Sequence, residues 1–110
     1  TISKLDRNVM DLIEREVSAP KFTDDVLTAF AGMSSTIACE CPSHLAGLLM
    51  QISHFETYSS DCNNKNVADA QLHAYLQKVS GVARMLFETA LEHVAITEGL
   101  PLPSPKTADI

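Results

Sequence analysis

The sequence predicts an all-α protein, a four-helix bundle-like domain that ends in a long C-terminal helical hairpin. Three observations predict it. Apolar residues recur at spacings of three and four along nearly the whole chain. Strand signals are missing: no alternating run of Val, Ile, Thr and aromatics occurs, and no Asn-Gly or Asp-Gly hairpin turn. Pro20, Gly32, Pro42, Gly99 and Pro101 fall where helices would start or stop.

The first helix is expected over Ser3–Val17, with Ile2, Leu5, Val9, Leu12, Ile13 and Val17 on one stripe. Asp6, Arg7, Asp11, Glu14 and Arg15 lie mostly off it, and Pro20 ends it. A short second helix is expected over Asp24–Ala31. Thr23 can cap it, and Asp24 and Asp25 complement the positive end of the helix dipole. Phe22 and Leu27 are spaced as a hydrophobic staple, and Gly32 can take the left-handed conformation that closes a helix. The following stretch, GMSSTIACEC, reads as a loop.

The third helix is expected to begin at Pro42 or Ser43, since proline at the first position sacrifices no hydrogen bond. Leu45, Leu48, Leu49, Ile52 and Phe55 make its apolar face, and Asp61-Cys62-Asn63-Asn64 ends it. Asn66 can cap the fourth helix, with Asp69 completing an approximate capping box. Its stripe runs through Leu72, Tyr75, Leu76, Val79, Val82, Ala83, Leu86, Ala90 and Val94 until Gly99 and Pro101 stop it. That helix is about 50 Å long against about 30 Å for its predecessor. It must overhang, kink at Ser80-Gly81, or be covered by another surface. Phe87 and Met85 fall off the main stripe and, if exposed, add an apolar patch.

A chain of 110 residues is expected to form one domain, over 1–100, followed by a Pro-rich tail over 101–110 that reads as extended and mobile. Net charge is −6, from 14 acids and 8 bases, and the bases are scattered. Such a surface repels phosphate, so direct nucleic-acid binding by this chain is not expected. No apolar run approaches the roughly 20 residues of a transmembrane helix, so no membrane span is expected. The opening TISKLDRNVM is charged from the start, which predicts no secretory leader. An odd cysteine count, 3, without scaffold spacing fits a reducing cytoplasm.

The chemistry-bearing residues fall into two groups. Cys39, Cys41, His44 and Cys62 carry atoms suited to zinc. Cys62 lies a whole helix away, about 30 Å, so it cannot share an ion with the other two cysteines. Folding the last two helices evenly about Asn64 brings position 39 opposite Glu88, and His44 opposite Arg84 or Met85. Glu88, Glu92 and His93 then belong to the Cys39–Cys41 end. Cys39, Cys41, His44, Glu88 and His93 are therefore the candidate metal ligands. Against them, the spacing is C-x-C rather than C-x₂-C, and the thiols can instead pack as small hydrophobes. A reactive thiolate at Cys41, near a helix N-terminus, is the redox version of the same loop. The second group is His54, Glu56, Tyr58 and His73, a candidate polar pocket in which Glu56 would meet His73 across the hairpin. The plain alternative there is an exposed hydrogen bond between two helices. No nucleophile elbow, H-E-x-x-H or phosphate loop occurs.

The stretches CECPSHLAGLL, FETYSSDCNN, DAQLHAYLQ and ARMLFETALEHVAITEGL resemble a segment of regulators related to the MerR family. The resemblance covers Ser34 to Gly99. Its most specific parts are Cys39-Glu40-Cys41-Pro42 with His44, Phe55-Glu56, Tyr58-Ser59 and Leu72-His73. In such regulators the segment accompanies a winged helix-turn-helix domain, and a long C-terminal helix mediates dimer formation. The DNA-binding half has no counterpart here, because the first two predicted helices are acidic and short of groove-reading bases. The resemblance implies a regulatory, effector-binding or oligomerisation module.

The expected function is therefore non-enzymatic: a cytoplasmic helical sensor or association module that forms a homodimer through the helix at 66–98. No cofactor is expected. A small effector could bind between the Cys39–His44 loop and the Glu88–His93 end. The alternative is a small metal-binding or redox protein that uses Cys39, Cys41 and His44.

Overall fold

Helix boundaries follow the local chemistry closely. The computed structural model describes residues 11, 14, 16–34 and 40–101. Among them are three long helices and no strand: α1 (Asp24–Ser34), α2 (Cys41–Asp61) and α3 (Val67–Glu98). Most of the helix expected over Ser3–Val17 lies outside the described residues; within them, residues 16–20 have no regular structure. The tail beyond Pro101 also lies outside. Of the described residues in the Ser3–Val17 span only Asp11 is helical, and the described fold is all-α.

Thr23 starts α1 as expected, its Oγ1 accepting the Val26 amide at 3.2 Å. Phe22 and Leu27 are both buried in the core, which is what a staple requires. Gly32 does not close α1. The helix runs through it to Ser34, and the left-handed glycine of the described chain is Gly99. α2 opens with Pro42 in its first turn, beyond Glu40 at the N-cap. Asn66 caps α3 by accepting the Asp69 amide at 2.8 Å, while Asp69 Oδ2 accepts the Lys65 amide at 3.2 Å. The capping box is therefore real but returns one residue earlier than the ideal pattern. At the other end Gly99 has φ 73°, and the Leu100 amide reaches the Ala95 carbonyl at 2.8 Å. This is the Schellman closure that glycine permits.

α3 is a single helix of 32 residues. Ser80 and Gly81 do not interrupt it: the Ser80 hydroxyl donates back to the carbonyls of Leu76 at 2.8 Å and Gln77 at 3.1 Å. α1 packs on α2, and α2 packs on α3. The core joins Phe22, Leu27 and Phe30 to Ala46 and Leu49 of α2 and to Leu91 and Ala95 of α3. It therefore lies toward the C-terminal end of α3. Every buried residue of α3 falls between Ser80 and Ala95.

That placement corrects the even folding about Asn64. Glu56 lies against Gly81 and Arg84, not against Leu72 and His73. Arg84 accordingly meets Glu56, not His44. The cause is the linker: Cys62 leaves α2 extended (φ −62°, ψ 138°), and α3 begins several residues later. The first turns of α3 then extend past the packed region, so the overhang is at the hairpin tip rather than at the C-terminus. Phe87 is also reassigned. It packs against the core, Met85 is half-buried, and Leu86 between them faces outward.

Candidate functional site

Two features of α3 stand out, on roughly opposite sides of the helix at 100° per residue. One is an open apolar face. Leu72, Tyr75 and Leu86 on α3 and Leu48, Phe55 and Tyr58 on α2 are all exposed large hydrophobics. Phe55 and Tyr58 stack with ring centroids 6.3 Å apart. A shallow groove of about 320 Å³ runs between the helices on this side, lined by Gln51, Ile52, Phe55, Val79, Ser80 and Ala83. The heptad-like spacing of Leu72, Val79 and Leu86 explains why one face of α3 is left apolar.

The other feature is a buried ion cluster. Arg84 is 0% exposed and Glu88 2%. Arg84 Nε donates to Glu56 Oε1 at 2.6 Å, Nη2 to Glu56 Oε2 at 3.3 Å, and Nη1 to Glu88 Oε2 at 3.0 Å. Nη2 also donates to the Ser18 carbonyl. Desolvation works to lower the Arg84 pKa, but hydrogen bonds and attraction from Glu56 and Glu88 outweigh it and hold the pKa above its usual value. A buried guanidinium needs partners for its donors, and this cluster supplies four hydrogen bonds to two carboxylates and a carbonyl. Both carboxylates are engaged by the one guanidinium.

Among the described residues, the sequence-predicted ones do not converge. Cys39 lies outside the described residues. Cys41 is exposed at the start of α2, where Pro42 is the buried residue, so Cys41 is not core filler. His44 is exposed and bonds Glu40 at 3.3 Å, one turn back on its own helix. Glu88 is held by Arg84 and by the Lys21 amide, and His93 is exposed. Among the described residues no group of three or more His, Cys, Asp or Glu is placed to hold a metal. The polar-pocket set separates as well. His54 Nε2 pairs with Asp24 Oδ2 at 2.6 Å, His73 Nδ1 with Asn64 Oδ1 at 2.7 Å, and Tyr58 points to solvent. The expected Glu56–His73 contact is replaced by Glu56–Arg84, because the hairpin register is displaced along α3. The His54–Asp24 bond instead ties α1 to α2, and Thr28 adds a hydroxyl contact to Met50 Sδ at 3.7 Å.

Sequence reasoning missed Arg84 as an organising residue. Its signal was present: an arginine and a glutamate four apart inside an apolar stripe, and a glutamate beside Phe55 on the facing helix. No described helix is long and apolar enough to cross a membrane. The chain matches no family model, no curated protein and no solved structure.

Proposed function

We propose that this chain is a non-enzymatic helical association module, and that two copies pair through the open face of α3. The exposed apolar face carries the reading. Half-exposed Leu, Phe and Tyr side chains each leave roughly 100 Å² on the surface. Leu48, Phe55, Tyr58, Leu72, Tyr75 and Leu86 together leave on the order of 600 Å², with the flanks of Ile52 and Val79 beside them. A typical monomer's largest apolar patch is about 300–600 Å², and a stable interface takes about 800 Å² from each partner. A second copy supplies an equally long apolar stripe to cover the first. The resemblance of Cys39–Leu49 and Phe55–Asn64 to regulators related to the MerR family supports placing the module in a transcriptional regulator.

Sedimentation equilibrium across a concentration series tests the pairing. The expected species approaches twice the 12.0 kDa chain mass. Leu86→Glu puts a charge on the open face without touching the core. It is expected to weaken association by at least about tenfold while leaving the helical circular dichroism unchanged. A chain that stays at monomer mass at the highest concentration reached would overturn the proposal.

A further inference from the structure

Residues 16–22 cross α3 without regular structure, and α3 grips them mostly by their main chain. Val17 lies over Gly81. A Cβ at position 81 would sit 2.7 Å from Val17 Cγ1 and 2.9 Å from Glu56 Oε2. No real Cβ tolerates such approaches, so this crossing needs glycine. Ser18 then offers its carbonyl to Arg84 Nη2, and Lys21 donates its amide to Glu88 Oε2 at 2.9 Å. Phe22 enters the core immediately afterwards.

The strap itself contributes little apolar burial. Glu16, Ser18, Ala19, Pro20 and Lys21 are exposed, and a crevice of about 150 Å³ remains beside Val17, Glu56 and Lys78. The slot beneath has contacts of its own: Arg84 bonds Glu56 at 2.6 Å and Glu88 at 3.0 Å. The Lys21 ammonium adds only an exposed contact with Glu92 at 3.3 Å.

We propose that Gly81, Arg84 and Glu88 form a latch, a preorganised slot on α3 that holds the extended main chain of residues 17–21 and releases it while the α2–α3 hairpin stays folded. Its ligand class is an extended peptide, recognised through one carbonyl and one amide, and the chain's own strap fills it in cis. The latch fixes the path of residues 17–21 across α3. It lies opposite the open apolar face, so it can open without disturbing that face. This inference stands on contacts separate from those that support pairing.

Hydrogen exchange of the Lys21 amide, followed by NMR on the full chain, reads the latch directly. Gly81→Ala pushes Val17 away while favouring helix at position 81. It is expected to speed Lys21 exchange at least about tenfold and leave the Leu49 and Leu91 amides unchanged. Adding Val17→Ala to Gly81→Ala removes the nearer crowded contact, the 2.7 Å approach to Val17, and is expected to restore part of the protection. Three results would overturn the latch: no change at Lys21 in Gly81→Ala, equal acceleration of Lys21 and the core amides, or failure of Val17→Ala to restore protection.

Discussion

The two halves of α3 are alike in sequence and opposite in fate. Val67–Val79 and Ser80–Glu98 both carry an apolar residue at about every second position. The first half buries none of its residues, whereas the second buries seven, among them an arginine and a glutamate. Hydropathy alone would bury Leu72 and expose Arg84, and the structure does the reverse. What differs is the company each half keeps. The second half meets the Phe22–Leu27–Phe30 cluster as well as α2 and the strap, while the first borders α2 and Val17 but lies away from that cluster, toward the hairpin tip. Burial along one helix thus reports which neighbours reach it, and charged groups can go inside where partners are arranged for them.

That contrast can be broken most forcefully at Arg84. Arg84→Met removes the one cation between Glu56 and Glu88 and leaves their carboxylates facing an apolar side chain. The expected loss is about 3–5 kcal/mol in chemical denaturation, the usual cost of orphaning a buried ion. Leu91→Ala cuts into the core that joins the helices and is expected to cost about 2–4 kcal/mol, read the same way. Asn66→Ala removes the cap on the exposed half. Its expected cost is about 1 kcal/mol, visible as a modest fall in the melting temperature. Smallest is Leu72→Gln, on the half without buried residues, expected to change the stability of dilute protein by less than about 0.5 kcal/mol. A loss at Leu72 as large as that at Leu91 would erase the distinction between the halves.

Much of the fold was legible in the sequence because helix ends are local events. Thr23, Pro42, Asn66 and Gly99 act within a few residues of themselves, and each marks a terminus within a residue of its predicted place. Gly32 was misread because a glycine after an apolar run is compatible with either stopping or continuing. α1 continues through Gly32 to Ser34 without the left-handed turn that would close it. The site was much less legible. Register between α2 and α3 depends on how the Cys62–Asn66 linker leaves the hairpin, and no periodicity encodes that. An error of a few turns there sent Glu56 to His73 on paper and to Arg84 in the fold. The strap was invisible for a related reason: a slot that reads a carbonyl and an amide leaves almost no signature in side chains, except the glycine it crosses.

The unbroken length of α3 has a mechanical consequence. From Ser80, where burial begins, to Val67 the helix extends about 20 Å at 1.5 Å per residue. Its inner half holds the buried residues and its outer half is at most half-buried, and the unbroken helix joins the two as one stiff rod. A tilt of about 10° at the buried end would carry the hairpin tip about 3 Å sideways. A small adjustment around Arg84 is thereby magnified at the far tip, with no joint between them to absorb it.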